Sequence, residues 1–279
     1  MRFGIALGRM HPGMFVEAAV AADELGFESL WFPEHLILPV AMAGSPFAGA
    51  EHPPVPPSTP VFDVFAYLAF LAGRTNRIRL GTHVYNMALR HPFVSARAIQ
   101  TVDVVSGGRL EVGIGAGWLE AEWVAAGFDF TSRGPRLDEA LEVCRRLWTE
   151  RTVEHHGRFF DFDTVMFEPK PTQAPHPPML IGGESSAALR RAARHDGWIG
   201  LSHTPESVRA PVATLQDLRR AEGRQDNRFT VTVGGAVEDD KDVDAFAAAG
   251  VDRLIVSPWA RTRDVAAGLA DFARRFLSG

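Results

Sequence analysis

Arg109-Leu110-Glu111-Val112-Gly113-Ile114-Gly115-Ala116-Gly117-Trp118 is a short apolar run that ends in clustered glycines. Ile181-Gly182-Gly183-Glu184-Ser185-Ser186 repeats the design and leads into a helix through small hydroxyl residues. A glycine lets the main chain come close to a neighbour because no Cβ intervenes. Free N–H groups at the start of a helix can hold an anion. Two such runs within one repeating pattern mark a ligand-binding scaffold built on parallel strands.

Strand-like and helix-like segments alternate along the whole chain. The expected strands are Phe3–Leu7, Ser29–Phe32, Ile78–Thr82, Leu110–Val112, Met179–Ile181, Trp198–Leu201, Phe229–Val233 and Arg253–Val256. The helices between and after them are Gly13–Leu25, Phe62–Gly73, His91–Val105, Arg133–Glu150, Ser185–His195, Pro205–Glu222, Lys241–Ala249 and Arg263–Phe276. Continuous apolar strands in eight βα units favour a closed (β/α)8 barrel of the TIM type over an open sheet. We expect one domain spanning residues 1–279, since such barrels commonly reach about 250 residues. Three insertions interrupt the repeat. Pro39–Pro60 follows strand two, Trp118–Thr131 follows strand four as a short helix, and Thr152–Pro177 follows helix four; the first two fall on the strand-end face and read as a lid or substrate pocket, Pro39–Pro60 as the lid. Within the last, Thr152–Phe162 reads as a hairpin turning at Gly157.

Composition narrows the function. Apolar residues make up 46% and charged residues 23%, as in a folded globular protein. A net charge of −5 without a like-charge block argues against nucleic acid as a partner, and no apolar run reaches membrane-spanning length. Phe3–Leu7 starts at once, so no leader is expected. The single Cys144 lies in a helical apolar pattern and reads as packing, which fits a cytoplasmic protein.

Chemistry in such barrels lies at the carboxyl ends of the strands. Strand two ends in Pro33-Glu34-His35, where His35 can move a proton near neutral pH; alternatively, Glu34 pairs with an arginine and His35 packs against a ligand ring. After strand three, His83 and Asn86 either face a cofactor or satisfy backbone groups in a bend. Gly115-Ala116-Gly117-Trp118 lacks the spacing of a dinucleotide fingerprint. Gly182-Gly183-Glu184-Ser185-Ser186 suits a phosphate, with a plain N-cap at Ser185 or Ser186 as the alternative. No metal-binding motif or serine elbow is present.

These strand ends resemble the luciferase-like monooxygenase superfamily, most closely its branch of probable coenzyme F420-dependent oxidoreductases. The similarity rests on Gly26-Phe27-Glu28-Ser29-Leu30-Trp31-Phe32-Pro33-Glu34-His35, Arg77-Ile78-Arg79-Leu80-Gly81-Thr82 and Leu89-Arg90-His91-Pro92. It continues through Gly107-Gly108-Arg109-Leu110 to Gly117-Trp118-Leu119-Glu120-Ala121-Glu122, then Pro169-Lys170-Pro171, Pro177 to Gly183, and Gly197-Trp198. The resemblance implies a flavin or 5-deazaflavin at the carboxyl face, backed by a non-prolyl cis peptide near His83-Val84. It places Glu34, His35 and Gly115 to Trp118 around the ring, and the cofactor phosphate on Gly182, Gly183 and the turn that follows. Sugar-phosphate dehydrogenases of the family carry an acid where Trp118 stands, and a lysine where this chain reads Leu201-Ser202-His203-Thr204; that substrate is therefore not carried over. Ser202 joins the expected cofactor contacts, and Arg261 and Arg263 are cations available to an acidic cofactor tail. The resulting expectation is a homodimeric oxidoreductase passing hydride between coenzyme F420 and a small organic substrate, with His35 and Glu34 as its catalytic residues. The alternatives are an FMN-dependent two-component monooxygenase and a non-catalytic flavin-binding protein.

Overall fold

Eight parallel strands close on themselves in the structure, a computed structural model that describes residues 1–47 and 55–277. Going round the barrel, β1 (Arg2–Ala6), β2 (Ser29–Phe32), β3 (Arg79–Thr82) and β4 (Leu110–Ile114) are followed by β7 (Met179–Gly182). Then come β8 (Gly197–Ser202), β9 (Thr230–Gly234) and β10 (Arg253–Val256), which pairs with β1 to complete the ring. A separate antiparallel pair, β5 (Val153–His156) and β6 (Asp161–Val165), lies between β4 and β7 in sequence. The outer helices are α1 (Phe15–Leu25), α2 (Val64–Ala72), α3 (Pro92–Val105), α5 (Arg133–Thr149), α6 (Ser186–Ala192), α7 (Arg209–Ala221), α8 (Asp240–Ala248) and α9 (Val265–Phe276), with the short α4 (Glu120–Ala125) following β4.

Local chemistry sets most of these boundaries. Asp63 caps α2 by accepting the Ala66 N–H, and Asp239 caps α8 by accepting from Lys241 and Asp242. On α9, Val265, Leu269, Phe272 and Ala273 recur at helical spacing and are all buried. Cys144 is fully buried on α5, and burial pushes its thiol well above the ordinary range. Most boundaries shift by one to three residues from the expected ones, and two of the differences have a visible local cause. Helix α7 starts at Arg209 rather than Pro205, because Thr204 and Ser207 bond to each other and hold a turn ahead of it. The second hairpin strand starts at Asp161, since Phe159 and Phe160 donate their N–H groups to the Glu139 carboxylate (3.0 and 2.8 Å) and so belong to the turn. Residues 48–54 of the expected lid lie outside the described residues.

The barrel lumen is layered. Trp31, Leu180, Ile199 and Ile255 fill its middle, with Ala6 and Val84 against them. The Trp31 ring lies against Gly81 and Gly4, where any Cβ would collide with it. Below this layer Arg253, fully buried, donates to both oxygens of Glu28 (2.7 and 2.6 Å), both oxygens of Glu111 (2.8 and 3.1 Å) and Thr232 Oγ1 (3.3 Å). Every N–H of the guanidinium is thereby used. Arg79 bonds Glu111 from the other side, and the Arg253 guanidinium lies 5.3 Å from the Trp31 ring centroid.

Candidate active site

At the carboxyl end of the barrel, β3 runs into the His83-Val84 peptide, which is cis. The Val84 side chain projects over the lumen between two glycines. A Cβ on Gly115 would stand 2.6 Å from Val84 Cγ2, and one on Gly182 would stand 2.8 Å from Val84 Cγ1. The glycines ending β4 and β7 therefore make room for a valine, and that half-buried valine presents a small apolar platform to the mouth. Gly115→Ala is expected to displace Val84 and to destabilise the fold by about 1–3 kcal/mol, the usual cost of overpacking. An unchanged urea midpoint would mean that Val84 steps aside freely.

His83 is crowded by protein atoms although part of its surface stays open. Burial lowers its imidazole to about 4, the Gly200 backbone pulling the other way, so it is neutral at physiological pH. Asn86 is buried, and its N–H donates to Glu34 Oε2 (2.8 Å). The other Glu34 oxygen pairs with Arg90 (2.7 Å), and the Glu34 side chain is 1% exposed. Burial pushes the Glu34 carboxyl above its ordinary value, while Arg90 and the Asn86 N–H pull it back. Both Glu34 oxygens are thus committed to partners, the pairing with an arginine foreseen as one of two readings.

His35 stands on the loop after β2 with its side chain 17% exposed. Its Nδ1 lies 3.0 Å from Glu122 Oε2, and its ring meets Trp118 edge-on with centroids 6.0 Å apart. Glu122 is fully buried on α4 and was not among the expected site residues. The sequence does carry a signal for it. Leu119, Glu122 and Trp123 fall at i, i+3 and i+4, a spacing that turns all three inward, and a carboxylate on an inward face requires donors. Trp123 Nε1, also buried, has no hydrogen-bond partner among the described residues and lies beside Gly117, 2.7 Å from where its Cβ would be. Ala116 is partly buried and packs on the core.

At the far side of the mouth Gly183 has φ +109°, a conformation suited to glycine, and its carbonyl accepts from Trp198 Nε1 (3.0 Å). Ser185 caps α6 by accepting from Ala188 N–H (3.2 Å), and Ser186 is the first residue of the helix. Glu184 Oε1 accepts from Leu201 N–H (2.8 Å) and lies 3.3 Å from His203 Nε2. Ser202 is exposed at the end of β8. Arg261 and Arg263 are exposed after β10, Arg263 3.7 Å from Asp264. The structure brings His35, Trp118, Val84, Asn86 and Gly115 into one neighbourhood.

A cleft of about 320 Å³ opens elsewhere, lined by His176, Met179, His195 and Asp196 near the amino ends of β7 and β8. Burial lowers His195 to about 4. Several charges around this cleft are satisfied internally, as in Arg194–Glu222 and Arg191–Asp138, and it lies at the end of the barrel opposite the strand-end residues.

The family model for luciferase-like monooxygenase matches residues 2–273. An uncharacterized protein of Mycobacterium tuberculosis is 35% identical over 232 residues, which is 80% of either chain. The coenzyme F420-dependent tetrahydromethanopterin reductase of Methanopyrus kandleri has a similar structure, with a TM-score of 0.80 at 17% identity over 99% of this chain and 98% of that one. The oxygenating constituent of 3,6-diketocamphane monooxygenase of Pseudomonas putida, in complex with FMN, gives a TM-score of 0.67 at 18% identity over 87% of this chain and 69% of that one. Those two likenesses concern the fold; the sequence match carries the family. The chain belongs to the luciferase-like monooxygenase family, a family of oxidoreductases.

Proposed function

We propose that the protein transfers hydride between a bound 5-deazaflavin and a small organic substrate, with His35 handling the substrate proton. The observation that supports this most is the shell at the mouth, where a partly exposed imidazole backed by a buried carboxylate opens beside an apolar platform. The residues fit a flat ring. Val84 and Gly115 to Trp118 would lie against it, with Asn86 and His83 at its edge. Gly182 to Ser186 and Ser202 would hold its phosphate side. A deazaflavin supplies hydride transfer with little reactivity toward oxygen, and the protein contributes placement and electrostatics. Glu34 supports the site by anchoring Arg90 and the Asn86 backbone. Trp118 beside His35 offers substrate an aromatic edge rather than a charge.

FMN-dependent monooxygenation is the second reading, favoured by the FMN-bound structural neighbour. Fluorescence titration of the purified protein with F420 and with FMN separates the two. The expected result is tight F420 binding; tight FMN binding with no F420 binding would sink the first reading. Among the described residues no helix is long and apolar enough to cross a membrane. The same proposal takes the protein as a cytoplasmic homodimer, which sedimentation equilibrium tests at the level of assembly.

A further inference from the structure

We propose that Glu122 is a positioning residue that locks His35 in the Nδ1–H tautomer and so decides which ring nitrogen meets the substrate. This rests on the reading of His35 as the proton-transfer group and names the residue that prepares it.

The geometry is specific. Four N–H groups converge on the Glu122 carboxylate. Leu36 N–H (2.6 Å) and Ile37 N–H (3.4 Å) donate to Oε1, while Asn86 Nδ2 (3.5 Å) and His35 Nδ1 (3.0 Å) approach Oε2. A carboxylate oxygen only accepts, so the ring nitrogen facing it carries the hydrogen. Nε2 then holds a lone pair. It has no hydrogen-bond partner among the described residues, and it is the free nitrogen of a ring whose other nitrogen is fastened inward. The same carboxylate holds the backbone of the two residues after His35. The imidazole is thus fixed through its own nitrogen and through its chain. Glu122 has no exposed surface, which keeps it from contact with substrate and confines it to acting through His35.

The test is the two-bond ¹⁵N–¹H spectrum of histidine-labelled protein at pH 8, with His35 identified by the signals lost in His35→Gln. The native protein should show His35 protonated at Nδ1 and bare at Nε2. In Glu122→Gln the amide oxygen is retained by the short bond from Leu36, so the NH2 group turns to Nδ1 and the tautomer should invert. Glu122→Asp, which keeps a carboxylate, should preserve the native tautomer. Turnover should fall on the order of 10³-fold in Glu122→Gln, within the range for losing general acid–base catalysis, with KM and cofactor affinity little changed. A native His35 protonated at Nε2, or a Glu122→Gln spectrum unchanged at His35, would overturn the proposal. If the tautomer inverts as expected while native protein turns over with neither cofactor, the oxidoreductase reading fails and the tautomer lock stands.

Discussion

Replacing Arg253 with methionine is expected to destabilise the fold by about 3–5 kcal/mol, the scale for breaking a buried charge pair from one side. The guanidinium is fully buried and bidentate to both Glu28 and Glu111. Methionine fills much of its volume, yet it leaves Glu111, itself 5% exposed, with Arg79 as its remaining cationic partner. Urea unfolding measures the effect, and a loss under about 1 kcal/mol would show that the network is dispensable. Adding Glu111→Leu should recover part of the loss, because the stranded charge is removed along with its partner. The network also sets an acid limit. Burial alone would raise the Glu111 carboxyl, but Arg253 and Arg79 hold it below its ordinary value. A carboxyl depressed in the folded state contributes stability above its unfolded pKa, about 4.3. That contribution is lost as pH falls through the lower folded value. Native protein should therefore lose stability below about pH 4.3 more steeply than the Arg253→Met/Glu111→Leu variant.

His35→Ala should slow cofactor reduction by about 10²–10⁴-fold while leaving cofactor affinity close to native. His35 touches Glu122 and the edge of Trp118, whereas the platform under the ring is made by Val84 with Gly115 and Gly182. Stopped-flow reduction gives the rate and equilibrium titration the affinity. If affinity collapses together with the rate, His35 is a wall of the binding site rather than a proton carrier.

Much of the architecture was legible because it is written in local patterns. Alternating apolar runs and helix periodicity gave eight βα units, and β2 and β10 fall on their expected residues. Glycine clusters at β4 and β7 read in the sequence as close approach to a ligand, and the structure shows a protein side chain there. What approaches, a valine delivered by the turn after β3, is a contact between distant segments. The same limit hid the Arg253 network, whose members come from the starts of four strands. It hid the pairing of His35 with Glu122 as well, since the two lie 87 residues apart. Motif reading finds the histidine because a strand end announces itself, and passes over its carboxylate because the insertion that carries α4 reads as an apolar pocket in which no single residue stands out.

The salt-bridged floor of the barrel carries one more implication. With Arg253 plugging the amino end and Trp31, Leu180, Ile199 and Ile255 filling the middle, the lumen is closed below Val84 and the strand ends form its rim. On the proposed function, cofactor and substrate both enter and leave across that rim. The one seated deeper then arrives first and departs last, so kinetics at the proposed site should follow a compulsory order rather than a random one.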